Sequence, residues 1–241
     1  MTKLDILVLP SHPDDAELYC SGTIAKQIAL GKKVGIADLT RGELGTRGTV
    51  EIRREEAARA AEILNLTVRE NIGLQDGYFK NDDQHQLEVI SVIRKYQPEI
   101  VITNATLDRH PDHARAADLV EHACFYAGLR KIKTVLDDGL EQEAWRPKMV
   151  LNFIQDTYIK PDILVDITPY WPQKVASIKA FKSQFYNPDW IDEPQTYISS
   201  PEFMEVAEAR AREFGRAIQV KYAEGFTCKR LLGVNDLFNL I

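Results

Sequence analysis

Apolar residues follow two alternating rhythms along this chain. Short continuous apolar runs, the pattern of strands buried on both faces of a parallel sheet, occur at Leu4–Leu9, Lys33–Leu39, Val68–Leu74 and Glu99–Thr103. Between them, apolar residues recur at helical spacing. Ala16–Leu30 carries Leu18, Ala25, Ile28 and Ala29 on or near one face, with Gly31 as a stop. Val50–Leu64 sets Ala57, Ala60, Ala61 and Leu64 among charges, and Leu87–Tyr96 turns Ile90 and Ile93 inward before Pro98 ends it. His113–Ala127 is the next helix. Strand–helix alternation of this kind predicts right-handed βαβ units and an α/β fold: a Rossmann-like, mostly parallel sheet with helices on both faces. No linker interrupts the pattern, so one domain over residues 1–241 is expected.

The second half is less regular. Lys148–Ile154 and Ile163–Ile167 predict strands, and Tyr170–Phe181 predicts a helix. Gln184–Ser200, with Pro188, Pro194 and several aromatics, reads as a long loop; loops of that length in compact domains are usually functional. Ser200 is the expected N-cap, and Pro201 the first-turn residue, of a helix over Pro201–Tyr222.

Composition narrows the class. With 44% hydrophobic and 27% charged residues, the chain can bury a sizeable core and is not disordered in composition. A net charge of −6 argues against nucleic acid or an anionic membrane as partner. Cys20, Cys124 and Cys228 are scattered and form no Cys-x-x-Cys pair, which fits reduced thiols acting as buried small hydrophobes. The apolar run near the start is too short for a signal-peptide core, and none approaches the roughly 20 residues of a membrane span. A cytoplasmic protein is expected.

Two histidine–aspartate clusters then stand out: Ser11-His12-Pro13-Asp14-Asp15-Ala16-Glu17 and Asp108-Arg109-His110-Pro111-Asp112-His113. Each follows an expected strand and leads into an expected helix. In open parallel sheets, ligands bind beyond the carboxyl ends of the strands where the strand order reverses. In a Rossmann-like order, the first strand is central and the fourth lies beside it across that reversal, so the two clusters face each other. Imidazole and carboxylate groups suit a divalent metal, and three protein ligands plus water mark a catalytic site. His12, Asp15 and His113 are the expected ligands. A metal-bound water has a pKa of about 7 on Zn²⁺; Asp14, between two ligands, is placed to take its proton and deliver it to a leaving amine. His110, as an imidazolium, suits a developing oxyanion, and Asp112 suits orientation of an imidazole. His85 and His122 lie outside both clusters and read as surface or packing residues.

The loop Thr40–Gly48 falls on the same edge. Gly42, Gly45 and Gly48 permit close backbone approach to a ligand, and Arg41, Arg47 and Arg53 are candidates to pair with carboxylate or phosphate. The first strand is not followed by G-x-G-x-x-G, so a dinucleotide site lacks its phosphate cradle.

The two clusters together resemble the PIG-L/LmbE-type zinc N-deacetylases. Gly48-Thr49-Val50-Glu51-Ile52-Arg53, Ser183-Gln184-Phe185 and Tyr222-Ala223-Glu224-Gly225-Phe226 are similar to the bacillithiol-biosynthesis branch of that family. The resemblance implies one Zn²⁺ per chain on His12, Asp15 and His113, with Asp14 as general base and His110 as oxyanion stabiliser. It implies deacetylation of an N-acetylglucosaminyl group, with N-acetylglucosaminyl malate as substrate and Arg53 and Arg47 meeting the malate carboxylates. It further implies a tyrosine from the late loop at the site, here Tyr197, and a homo-oligomer, trimer or hexamer. The residues alone leave rivals open. Two histidines and a carboxylate also suit a non-haem Fe(II) oxygenase, and Fe²⁺ accepts the same ligands as Zn²⁺. A sugar-binding protein organised by its metal, or a deacetylase of another amino sugar, also fits.

Overall fold

The computed structural model describes residues 2–136, 138–188 and 193–241. Seven strands form one sheet: β1 (Ile6–Leu9), β2 (Val34–Thr40), β3 (Val68–Leu74), β4 (Ile100–Thr103), β5 (Met149–Phe153), β6 (Ile163–Asp166) and β7 (Ala223–Thr227). Their order across the sheet is β3-β2-β1-β4-β5-β7-β6. The first five run parallel, and β7 lies antiparallel between β5 and β6. The helices are α1 (Asp15–Ala29), α2 (Val50–Leu64), α3 (Asp83–Tyr96), α4 (Pro111–Ala127), α5 (Trp171–Lys179) and α6 (Phe203–Ala217). The expected α/β Rossmann-like fold is the observed one.

β1 shows why the sheet needs helices on both sides. Side chains along a strand alternate between faces. Leu7 and Leu9 join a core with Phe79, Ile93 and Leu119, while Ile6 and Val8 join another with Ile24, Ile36 and Phe153. All four β1 residues are buried. A strand apolar on both faces is stable only with both faces covered, and α3 and α4 supply one cover while α1 supplies the other.

Local chemistry moved several boundaries. α3 starts at Asp83, four residues before the expected Leu87, because the Asp82 carboxylate accepts from the His85 backbone N–H at 3.1 Å and caps the helix. α6 is shorter than expected. Ser200 does not cap it: Phe203 N–H bonds to the Ser200 backbone carbonyl, and the cap position is Glu202, without a side-chain bond. At the other end, Gln219 turns left-handed (φ 61°), and the chain reverses into β7. Ala223-Glu224-Gly225-Phe226-Thr227 carries a Gly and a Glu and gives little strand signal by itself; it becomes a strand because β5 and β6 offer it edges on both sides. Cys20 and Cys124 are buried as expected, but Cys228, just past β7, is partly exposed. Part of the expected Gln184–Ser200 loop, residues 189–192, lies outside the described residues; the rest carries no helix or strand. Among the described residues no helix is long and apolar enough to cross a membrane.

Glu224 on β7 ties three elements together. Its carboxylate accepts from the backbone N–H groups of Gly22 (3.0 Å) and Thr23 (2.7 Å) on α1, and from the Lys174 ammonium on α5 (2.7 Å). Lys174 also donates to the Leu18 carbonyl at 2.6 Å, and both side chains are almost fully buried. Removing one partner of such a pair strands a buried charge. Lys174→Met is therefore expected to destabilise the protein by about 3–5 kcal/mol in urea denaturation. Lys174→Met with Glu224→Gln should recover much of that loss, because the neutral amide no longer needs a cation.

Candidate metal centre and active site

β1 and β4 pair in parallel, with Leu9 opposite Thr103, so the segments leaving their carboxyl ends open side by side. The two segments are joined directly: Ser11 N–H donates to Asn104 Oδ1 at 2.7 Å. The chain then turns abruptly into α1. Asp14, at the N-cap position, has φ 116° and ψ −27°. A non-glycine residue held there costs of order 1–3 kcal/mol and persists only where its surroundings impose it. The turn brings His12, Asp14 and Asp15 into one cavity of about 350 Å³ with His110 and His113.

Asp15 lies between the two imidazoles. Its Oδ1 is 3.2 Å from His113 Nε2, and its Oδ2 is 3.5 Å from His12 Nδ1. Three donors fix this carboxylate: the His12 backbone N–H (3.0 Å), Asn104 Nδ2 (3.0 Å) and Gln155 Nε2 (3.3 Å). Each imidazole has its other nitrogen engaged by carboxylate. His12 Nε2 meets Asp76 at 3.0 Å and Asp112 at 3.4 Å, and His113 Nδ1 meets Asp108 at 2.6 Å. That is how metal-binding histidines are commonly oriented, one nitrogen held by a carboxylate and the other turned to the ion. The third ring, His110, has its centroid 4.9 Å from both of the others. One nitrogen from each of His12, His110 and His113 lies within 4.8 Å of the other two, and the same holds for His12, Asp76 and Asp112 donor atoms.

The electrostatics favour a cation. Burial alone lowers an imidazole pKa. For His12, hydrogen bonds to Asp112, Asp15 and Asp76 outweigh burial and hold it well above its ordinary value. For His113, burial is outweighed by the Asp15 charge and the Asp108 hydrogen bond, which bring it up to about 9. A buried pocket that draws protons onto two imidazoles has the field, and the imidazole–carboxylate donor set, of a divalent metal site. Asp14 behaves differently: burial, opposed by Arg53 and reinforced by Asp15, lifts its carboxyl to about 7.

His110 departs from the expected imidazolium. Burial and the neighbouring His12 and His113 charges lower its pKa. Its Nδ1 accepts from the Asp112 backbone N–H at 3.2 Å, which leaves the proton of the neutral ring on Nε2. The ring is a neutral N–H donor. The Asp112 carboxylate orients His12 rather than His110, while receiving Gly77 N–H at 2.8 Å and Arg115 at 2.7 Å.

Of the two arginines expected to meet substrate, Arg53 lines the cavity and Arg47 does not. Arg53 is buried and donates Nη1 to the Pro13 carbonyl (3.1 Å) and to Asp14 Oδ2 (3.3 Å), so it holds Asp14 directly. Gly42 and Gly45 approach this guanidinium: a Cβ at Gly42 would sit 3.0 Å from Arg53 Nη1, and one at Gly45 2.9 Å from Nη2. Their closeness serves Arg53. Arg47 does not line the cavity; its guanidinium is buried against the late loop, donating to the Ser183 carbonyl at 2.9 Å. Tyr197 does reach the cavity, where its hydroxyl donates to Asp156 at 2.9 Å and Arg109 lies over its ring. His122 is exposed and His85 partly buried, both away from the cavity.

Asp76, Asp108, Asn104 and Gln155 were given no role by the sequence. All four follow the carboxyl ends of strands, β3, β4 and β5, and that edge is the signal that marks them.

Residues 7–124 match the family model PIG-L, described as GlcNAc-PI de-N-acetylase. The chain is 31% identical over 196 residues to diacetylchitobiose deacetylase of Thermococcus kodakarensis, covering 77% of this chain and 72% of that protein. It is 26% identical over 202 residues to 4-oxalmesaconate hydratase of Pseudomonas putida, covering 74% and 73%. Among solved structures, the conserved protein TT1542 from Thermus thermophilus shares 36% identity and a TM-score of 0.84, covering 96% of this chain and 98% of that one. The chain belongs to the PIG-L/LmbE-type deacetylase family. The enzyme class expected from the two histidine clusters, a metal-dependent N-deacetylase, is the class this family defines.

His113→Ala is expected to abolish Zn²⁺ retention through desalting, read by elemental analysis. Asp108→Asn leaves the His113 imidazole in place but loosens its orientation, and should weaken Zn²⁺ binding about 10–100-fold in chelator competition with an unchanged circular dichroism spectrum.

Proposed function

We propose that this protein hydrolyses the N-acetyl group of an N-acetylglucosaminyl conjugate, N-acetylglucosaminyl L-malate of bacillithiol biosynthesis being the substrate the family resemblance favours. One observation carries the reading: a buried carboxylate, Asp14, stands beside a carboxylate–imidazole set suited to a metal, in a cavity large enough for a sugar. His12, Asp15 and His113 would hold Zn²⁺, or Fe²⁺, which when bound polarises the acetyl carbonyl and makes hydroxide accessible at neutral pH.

The protein's own groups then divide the proton work. Asp14, lifted to about 7, is matched to accept a proton from water near neutrality. The water oxygen adds to the acetyl carbon, and the carbonyl π pair moves onto its oxygen. His110, neutral with its proton on Nε2, donates to that oxygen. Asp14 returns its proton to the amide nitrogen as the C–N bond breaks, so acetate and a free amine leave. Arg53 keeps Asp14 in place. At the rim, Arg109 offers a cation to an anionic aglycone beside Tyr197.

Similarity to 4-oxalmesaconate hydratase favours a second reading, addition of water to a carbon–carbon double bond. Acetate release from a panel of N-acetylglucosaminides, malate included, decides between them. The deacetylase reading expects acetate and amine in equal amounts, and Asp14→Ala should lower kcat about 10²–10⁴-fold with metal content retained. No acetate from any member, together with hydration of 4-oxalmesaconate, would replace it with the hydratase reading. Full turnover by Asp14→Ala would remove Asp14 as the base.

A further inference from the structure

A second cavity, of about 480 Å³, adjoins the catalytic one. It lies between α2, the carboxyl end of β2 and the first half of β3, and its size falls within the range of small-molecule sites. The two cavities share Arg53, but none of His12, Asp14, Asp15, His110 or His113 lines the second.

Its charge runs against that of the whole chain. The protein carries a net −6, yet this cavity is lined by Arg41, Arg53, Arg54 and Arg69 against only Asp38 and Glu70. The acids are already matched. Asp38 accepts two hydrogen bonds from Arg69, whose remaining reach goes to Glu17 and the Ala57 carbonyl. Glu70 accepts from Lys95 at 2.6 Å and from the Tyr96 hydroxyl at 2.9 Å. Arg53 is engaged with Asp14. Arg41 and Arg54 remain: among the described residues neither guanidinium makes a hydrogen bond or ion pair, although Arg54 lies in the field of Glu51 one turn back. Arg41 lies against Gly73, where a Cβ would come 3.2 Å from its Nη2, and Gly73 has φ +82°. A side chain at position 73 would thus be both strained and in the way of this guanidinium. Between the arginines, Val50, Ala57, Ala58 and Ala61 of α2 give the cavity an apolar wall.

We propose that this cavity binds a small anion with an apolar body, its carboxylate or phosphate held by Arg41 and Arg54 and its body against the alanines of α2. A guanidinium fork suits both headgroups, and an apolar wall with few convergent polar groups is the usual make-up of a ligand site. The inference goes beyond the deacetylase reading and does not depend on it, because its test needs no turnover.

The probes are phenyl phosphate and phenylacetate, titrated calorimetrically into the intact metal-loaded protein, with benzyl alcohol as the neutral control. Saturable one-to-one binding of at least one anion is expected, with none of the alcohol. Arg54→Ala should weaken it about tenfold or more, the scale of one charge-assisted hydrogen bond. Ala58→Glu, which places a carboxylate on the exposed wall, should remove it. Both variants should keep the melting temperature and metal content of the parent, since neither position is buried. Which anion binds identifies the headgroup. No saturable binding of either anion overturns the proposal, and so does binding that both variants leave unchanged, which would place the probe at the metal or elsewhere.

Discussion

The structure is organised around one carboxylate. Asp15 lies in a low-dielectric pocket within reach of two imidazoles, and three neutral N–H donors hold it there. A buried charge is tolerable only when paired and hydrogen-bonded. Asn104 and Gln155 meet that requirement without adding charge, so the imidazoles and any bound cation supply the compensation. Asn104 also receives Asn152 Nδ2 at its backbone carbonyl (2.9 Å), and Gln155 Oε1 accepts from Asn104 Nδ2 and Ala105 N–H at 3.1 Å. The orientation of Asp15 is therefore fixed by the ends of β1, β4 and β5 together, and the pairing of those strands is part of the chemistry.

Around that centre the protein separates adjacent carboxylates by environment. Asp14 and Asp15 are consecutive, yet one is pushed up to about 7 and the other held well below its ordinary value. Both are buried, which raises both. The difference is that His113 and His12 outweigh burial at Asp15, whereas at Asp14 the like charge of Asp15 adds to burial and Arg53, 3.3 Å away, only partly opposes it. Opposite shifts in neighbouring groups are the arrangement that lets one act as a ligand and the other as a proton carrier. The left-handed backbone at Asp14 makes the separation possible by turning the two side chains to different partners.

The polar network extends outward from the same edge. Asp76 links His12 to the loop after β2 by accepting Leu44 N–H at 2.9 Å, and Asp76 N–H is in turn received by Glu43 at 3.0 Å. Asp156 receives both Tyr197 and Arg109, connecting the late loop to the second histidine cluster. The rim is thus assembled from loops that share acidic partners, and its shape follows from which carboxylate each loop can reach.

Much of this was legible in the residues alone. The apolar runs determined β1 to β4, and the two His–Pro–Asp clusters after β1 and β4 fixed which edge carries chemistry, because hydrophobic periodicity and strand-end placement are local properties. β7 was not legible: its Glu and Gly give no strand signal, and it exists because two distant strands leave a gap for it. The roles of the arginines were not legible either. Arg47 and Arg53 look alike in sequence, but one is buried against Ser183 and the other beside Asp14. Asp112 turns to His12 rather than His110, and the pKa of His110 is lowered by burial and by the two other imidazoles beside it. Residue type and spacing state what a side chain can do. Which partner it meets, and which proton it keeps, depends on contacts between segments far apart in the chain, and only the packed structure decides those.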